Sequence, residues 1–104
     1  MSESIKNLTA RDFDDFISEG NVVIDFWAAW CGPCRMQGQI LDQGADDFAA
    51  AGIKVGKVNI DQENALASRY GVSSIPTLLI FKDGEQIKTL VGIQQADSLK
   101  KQFA

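Results

Sequence analysis

Runs of apolar residues with the spacing of β-strands recur along the chain and alternate with segments of helical character. NVVIDFWA, at positions 21–28, is rich in β-branched and aromatic residues and predicts a buried strand. IKVGKVNI, at positions 53–60, alternates between apolar and polar residues as a half-buried strand does. A weaker pattern predicts a short first strand over residues 4–8.

Two strand-like segments in the second half of the chain flank a dipeptide that is typical of a tight turn. TLLIFK, at 77–82, and EQIKTLVG, at 85–92, are separated only by Asp83 and Gly84. An Asp-Gly pair suits the positive φ angles of a two-residue turn. The pattern therefore predicts an antiparallel hairpin.

Helices are indicated by apolar spacing and by residues that begin or end helices. We expect the first helix to begin at a Thr9 cap and to stop at Gly20, and the third to close at Gly71. The last predicted helix is amphipathic. The four helical segments are 9–20, about 34–50, 62–71 and 94–104.

The resulting order, β/α/β/α/β/α/β/β/α, is typical of an α/β protein with a mixed sheet. We therefore expect a central five-stranded sheet flanked by four helices. A chain of 104 residues favours a single domain, spanning 1–104, around one core. With 45% hydrophobic and 23% charged residues, the composition is that of an ordinary soluble globular protein.

The charge pattern excludes some classes of partner. The net charge is −4, and the ten Lys and Arg residues are scattered, so we expect no nucleic-acid binding. The first ten residues lack the basic and apolar regions of a signal peptide, and no apolar run is long enough to span a membrane. These features predict a cytoplasmic protein that does not bind membranes. Because that compartment is reducing, a purely structural disulfide is disfavoured.

The only two cysteines, Cys31 and Cys34, lie in the motif WCGPC directly after the strand predicted at 21–28. A structural zinc site needs four ligands, whereas this pair supplies two and the chain has no histidine. A role as small core hydrophobes would not explain a CxxC spacing with Gly and Pro between. Thiol–disulfide exchange is the third interpretation, and it fits the position of the motif.

A cysteine at the junction of a strand and a helix is placed for redox chemistry. Cys31 would lie near the helix N-terminus, where unpaired N–H groups and the macrodipole favour the reactive thiolate. Pro33 is tolerated in the first helical turn, and Gly32 lets another backbone approach closely. Cys34 is near enough in sequence to resolve a mixed disulfide formed on Cys31. The residues thus favour a pair made of an attacking and a resolving cysteine.

Longer blocks around these motifs resemble the thioredoxin family, in the expected order and over essentially the whole chain. The blocks are DFWAAWCGPC, KVNID, YGVSSIPTLLIFKDGE and the pair Val91-Gly92. The resemblance implies the thioredoxin fold and a general protein dithiol–disulfide oxidoreductase. Such a protein reduces substrate disulfides through a reversible disulfide between Cys31 and Cys34.

The resemblance also implies roles for two charged residues. Asp25, a lone acid in the apolar run, matches the buried acid that exchanges a proton with the resolving cysteine Cys34, and burial should raise its pKa. Lys57, on the same strand face as Ile53 and Val55, matches the lysine that moderates that acid. The alternatives are that Asp25 faces a polar edge of the sheet and that Lys57 is a solvated edge lysine.

An apolar docking surface for substrate is implied as well. Ile75-Pro76 matches the cis-proline loop that faces the cysteines and pairs with an incoming peptide. Trp27 is expected either to pack against the site or to be purely structural. The substrate-binding residues implied by the resemblance are Trp30, Gly32, Pro33, Ile75, Pro76, Gly92 and Ile93.

The implied partners are disulfide-containing proteins and a thioredoxin reductase that draws electrons from NADPH. We therefore expect a monomer with no tightly bound cofactor and no metal. Two other functions stay open. One is an oxidant or isomerase, because direction depends on the potential of the couple and of the compartment. The other is a binding subunit that uses the thioredoxin surface without turnover.

The helix after the motif departs from the family pattern. Positions 37, 41, 44 and 48 share one face, where Leu41 and Phe48 fit a buried stripe but Gln37 and Gly44 do not. The family usually has aliphatic residues at those two positions. It also has a kinking proline where this chain has Gln39, so we expect an unkinked helix.

These departures predict a less stable protein. Gly38 and Gly44 should each cost about 1 kcal/mol relative to Ala in a helix interior. An aliphatic side chain missing from the core would cost about 2–5 kcal/mol. The alternative is that neighbouring residues fill the space and that Gln37 turns toward water.

Overall fold

The structure of the chain, a computed structural model, describes residues 4–104. Five strands and four helices follow one another in the predicted order. They are β1 (Ile5–Asn7), α1 (Phe13–Ile17), β2 (Asn21–Trp27), α2 (Gly32–Ala50), β3 (Ile53–Asn59), α3 (Asn64–Arg69), β4 (Thr77–Lys82), β5 (Glu85–Val91) and α4 (Ala96–Lys101).

The strands form one mixed sheet in the order β1-β3-β2-β4-β5. The first three of these strands are parallel, whereas β4 runs antiparallel to both β2 and β5. The most apolar strands, β2 and β4, are central or next to the centre, where both faces of the sheet are covered. The prediction of a mixed five-stranded sheet with four helices is confirmed.

The hairpin turn has the predicted backbone. Asp83 and Gly84 both have positive φ, 51° and 87°, which is the combination that a two-residue turn between twisted strands requires. The Asp83 carboxylate also accepts a hydrogen bond of 2.8 Å from the Gly20 N–H. The turn is thereby joined to the segment that leads into β2.

The start of the first helix differs from the prediction. α1 begins at Phe13 rather than near Thr9, and Asp12 occupies its N-cap position. The Asp12 carboxylate accepts a 2.7 Å hydrogen bond from the Thr9 N–H, so the two residues close a local turn before the helix. Thr9 Oγ1 in turn accepts a 3.3 Å hydrogen bond from the Arg11 N–H, and the Thr9 carbonyl accepts one from the Phe13 N–H. Thr9 therefore caps the turn that leads into α1, as predicted, although the α-helix itself begins four residues later.

Helices cover both faces of the sheet, and each face has its own core. α1 and α3 pack on one face around buried residues that include Phe13, Phe26 and Phe81. α2 and α4 pack on the other face around Leu41, Phe48 and their neighbours. This second face also carries the start of α2 and hence the cysteine motif.

α2 runs without interruption from Gly32 to Ala50, as the absence of a proline predicts. Gly44 is buried, and a Cβ there would lie 3.1 Å from Cε2 of Phe48 and 3.4 Å from Cβ of Ala96. Glycine thus lets α2 and α4 approach closely, and the neighbouring side chains fill the space. The expectation of an underpacked core at this position is wrong.

Gln37 is the other residue of α2 that does not fit the apolar stripe expected on its buried face. Its side chain is fully buried, so the alternative that it turns toward water is wrong. Its amide is hydrogen-bonded to the backbone of Gln94 instead. A buried amide with partners costs far less than an unpaired one.

Candidate active site

Cys31 and Cys34 form a disulfide at the N-terminus of α2. Cys31 is the N-cap residue, with an extended backbone, and its Sγ accepts a 3.2 Å hydrogen bond from the Cys34 N–H. Pro33 lies in the first turn, where its missing N–H leaves no helical bond unmade. A thiolate on Cys31 would therefore meet a donor and the positive end of the helix dipole.

Asp25 is fully buried on β2, and β2 lies in the middle of the sheet. Neither carboxyl oxygen has a hydrogen-bond partner among residues 4–104. Burial raises the pKa of this carboxyl to about 7, and the charge of Lys57 partly opposes that rise. The group is poised to gain or lose a proton near neutral pH, and a polar sheet edge is not its environment.

Lys57 is the cross-strand neighbour of Asp25 in the parallel register of β2 and β3. It is half-buried, and β3 lies between β1 and β2, so Lys57 is not a solvated edge lysine. Its Nζ lies 4.8 Å from the centroid of the Trp27 ring. Trp27 in turn packs against the cluster formed by Ala28 and the two cysteines, so the ring is part of the site.

A cleft of about 380 Å³ opens beside the resolving cysteine. Cys34 and Lys57 both line it, together with Gly38 of α2. A Cβ at Gly38 would lie only 3.3 Å from the Nζ of Lys57. The glycine therefore leaves room for the ammonium group between the helix and the sheet.

The loop before β4 faces the cysteines. The Ile75-Pro76 peptide bond is cis, as the resemblance implied. The Ile75 carbonyl oxygen lies 3.8 Å from Cys31 Sγ, and the Ile75 side chain packs against both cysteines. The Pro76 carbonyl accepts a 2.8 Å hydrogen bond from the N–H of Gly92. Gly92 has φ +91°, a conformation that favours glycine.

Of the substrate-binding residues expected from the resemblance, Ile75 faces Cys31, and Pro76, which is buried, joins this loop to Gly92. Gly32 and Pro33 are exposed beside Cys31, and Trp30 is 67% exposed with its Nε1–H donating 2.9 Å to Asp61. The apolar side chains of Ile93 and Val91, which flank Gly92 in the chain, are exposed as well, and so is that of Met36.

Several contributors were missed by the reasoning from sequence. Asp61 orients Trp30 from 31 residues away, and no local pattern connects the two. Met36 and Val91 are apolar residues whose exposure depends on the packing. Gln37, in contrast, was detectable, because a polar residue on a buried helical stripe indicates a specific partner.

Residues 4–104 contain no group of three or more His, Cys, Asp and Glu side chains placed to hold a metal ion. None of the helices within that range is long and apolar enough to cross a membrane.

A disulfide at a helix N-terminus, opposite a cis-proline loop and in a sheet whose central strand buries an acid, defines a dithiol–disulfide oxidoreductase of the α/β class. The model of the thioredoxin family matches residues 4–104. The chain therefore belongs to the thioredoxin family.

Relatives and a solved structure agree with this membership. The chain is 46% identical to a thioredoxin of Chlamydia caviae and 43% identical to one of Chlamydia pneumoniae, each over 95 residues that cover 91% of both chains. It is 41% identical to a thioredoxin of Staphylococcus epidermidis, over 92% of this chain and 91% of that one. The crystal structure of Malassezia sympodialis thioredoxin superposes with a TM-score of 0.85 at 30% identity, covering 98% of this chain and 95% of that one.

Proposed function

We propose that this protein reduces disulfides in other proteins and is recycled by a thioredoxin reductase that uses NADPH. The observation that carries the proposal is the position of Cys31 at the start of α2. Its Sγ accepts a hydrogen bond from the Cys34 N–H and faces the Ile75 carbonyl. This placement stabilises a thiolate and leaves it next to a surface on which a peptide can dock.

In the first step the Cys31 thiolate of the reduced protein attacks one sulfur of a substrate disulfide. A bond forms between Cys31 Sγ and that sulfur while the substrate S–S bond breaks. The second substrate sulfur leaves as a thiolate and takes a proton from solvent. The product is a mixed disulfide.

In the second step Cys34 resolves the mixed disulfide. Asp25 accepts the proton of the Cys34 thiol through a water molecule, and the resulting thiolate attacks Cys31 Sγ. The Cys31–Cys34 disulfide forms and the remaining substrate thiolate is released. A pKa of about 7 suits Asp25 to this exchange, and the ammonium of Lys57 stabilises its ionised form. The substrate keeps the two electrons that it gains from the cysteine pair, and the reductase supplies two more from NADPH to reduce the Cys31–Cys34 disulfide again.

Substrate docks on the exposed apolar rim around Cys31. Its backbone pairs beside the cis-proline loop, and its side chains contact the rim. The proposed rim comprises Trp30, Gly32, Pro33, Ile75, Pro76, Gly92 and Ile93; Pro76 is itself buried and takes part through its carbonyl, which accepts from the Gly92 N–H. Its exposed apolar area supports a role in binding.

We further propose that the chain works as a monomeric single domain over 1–104 in the cytoplasm. A reducing compartment keeps the dithiol in the attacking state. The net charge of −4 argues against nucleic acid as a partner.

The test is NADPH consumption in a mixture of this protein, a thioredoxin reductase and insulin as a disulfide-bonded substrate, with each component omitted in turn. Consumption should depend on all three. If the cysteines cycle with dithiothreitol but no NADPH is consumed, the proposed reductive cycle is wrong for that donor and an oxidant, isomerase or binding role takes its place.

Serine variants separate turnover from binding. Cys31→Ser should abolish turnover, whereas Cys34→Ser should retain attack and accumulate the mixed disulfide with insulin. Mass spectrometry detects that adduct. If the double variant preserves the biological role in cells, the protein acts as a binding subunit.

A further inference from the structure

Gln37 joins the active-site helix to a loop that is distant in sequence. Its Oε1 accepts a 2.7 Å hydrogen bond from the Gln94 N–H, and its Nε2 donates a 3.0 Å hydrogen bond to the Gln94 carbonyl. Both polar atoms of the amide are thus bonded to one residue, 57 positions away. Since Gln37 lies one turn after Cys34, the link begins next to the cysteine pair.

Gln94 belongs to the connection between β5 and α4, which carries Gly92 and Ile93. At its start, the Gly92 N–H is bonded to the Pro76 carbonyl of the cis-proline loop. The Gln94 side chain lies 3.3 Å from the Gly92 carbonyl, which tightens the turn between them. The connection is therefore held on one side by Pro76 and on the other by Gln37.

An aliphatic residue at position 37 would fill the core but would offer the Gln94 backbone no partner. Gln94 is half-buried, so its N–H and carbonyl would have to shift toward water to be satisfied. Such a shift would displace Ile93, the neighbouring residue and a member of the proposed docking rim. The buried amide thus determines where this part of the rim lies.

We propose that Gln37 is a positioning residue that holds the Gly92–Gln94 segment against the active-site helix and thereby sets the affinity for protein substrates. This inference rests on the proposed function, because it assigns the segment to substrate docking. Gln37 touches neither sulfur, and the thiol chemistry of Cys31 does not depend on it.

The variant Gln37→Met keeps the length of the side chain and removes both hydrogen bonds. With insulin in the reductase-coupled assay, KM should rise about five- to tenfold while kcat changes less than about twofold, as expected when two hydrogen bonds that act on docking are lost. The pre-reduced variant should react at the parental rate with Ellman's reagent, a disulfide too small to need the loop. Gln43→Met, on an exposed position of α2, is the matched control and should leave KM unchanged.

Amide hydrogen exchange reports the link directly. The Gln94 N–H should exchange at least about tenfold faster in Gln37→Met than in the parent, and Gln43→Met should match the parent. Gln37→Glu keeps an oxygen that accepts from the Gln94 N–H but loses the donor to the Gln94 carbonyl. Its KM should therefore lie between that of the parent and that of Gln37→Met.

The outcomes separate the two proposals. If the parent turns over insulin and both Gln37 variants keep its KM, the positioning role is overturned and the reductase function stands. Equal losses with insulin and with Ellman's reagent would also overturn it, because they indicate general damage. If the parent itself fails to consume NADPH, the proposed function fails, whereas the exchange of Gln94 still tests the link.

Discussion

The two faces of the sheet bury different kinds of side chain. On the α1/α3 face apolar and aromatic side chains form the core, with the rings of Phe13, Tyr70 and Phe81 in mutual contact. On the α2/α4 face an apolar half around Phe48 gives way to a half that buries Asp25 and the amide of Gln37.

The difference shows where this chain accepts a loss of stability. A carboxyl without a hydrogen-bond partner is costly in a protein interior, whereas a buried amide is tolerated only while its partners are kept. Both groups are buried on the face that carries the cysteine motif. One face therefore supplies stability, and the other holds the polar groups that the redox reaction needs.

The largest expected effect comes from opening a cavity in the apolar face. Phe13→Ala removes a fully buried ring whose centroid lies 5.4 Å from that of Tyr70. The free energy of unfolding should fall by about 3–5 kcal/mol, measured by urea denaturation. Phe16→Ala, on the same helix but only half-buried, should cost less. Where Phe13→Ala is folded, its rate with Ellman's reagent should be parental, and a slower rate would show that the faces are coupled.

The next effect concerns the buried acid and has a defined pH dependence. Asp25 is protonated up to about pH 7 in the folded protein, but only up to about pH 3.8 when unfolded. Between these two pH values the folded state binds a proton that the unfolded state has lost. The contribution of Asp25 to stability is therefore greatest below the unfolded-state pKa and is lost as pH rises through the folded-state pKa.

Comparing the parent with Asp25→Asn isolates this contribution. The stability of the parent relative to the variant should fall by on the order of 4 kcal/mol between about pH 4 and pH 8. The ammonium of Lys57 lowers the pKa of Asp25, so Lys57→Met should raise that pKa and extend the decline in stability to higher pH. Urea denaturation at a series of pH values measures both effects. A difference that is independent of pH would rule out an elevated pKa.

The smallest effect tests the packing between α2 and α4. Gly44→Ile should lower stability by about 1–3 kcal/mol, because a Cβ already meets Phe48 at 3.1 Å and the longer side chain overfills the site. Gly38→Ala is the matched change on the same helix. It should gain up to about 1 kcal/mol from helix propensity, since its Cβ meets only the mobile end of Lys57. Thermal unfolding compares the two, and a higher midpoint for Gly44→Ile would restore the idea of an underpacked core.

Much of the fold could be predicted because it depends on local patterns. The apolar run of β2, the Asp83-Gly84 turn and the start of α2 at the cysteine motif are each specified by neighbouring residues. The resemblance added the cis bond before Pro76, which no composition or periodicity predicts. Helix boundaries were less predictable, since Thr9 caps a turn but α1 itself begins only at Phe13.

By itself, the sequence determined the order of strands and helices, the placement of two thiols at the start of a helix and hence the kind of chemistry. Only the tertiary structure decided which polar groups meet. The register of β2 and β3 puts Lys57 beside Asp25, and the packing of α2 brings Gln37 to Gln94. The physical reason is range: hydrophobic periodicity and turn propensity act within a few residues, whereas these pairs form only when separate elements pack against each other.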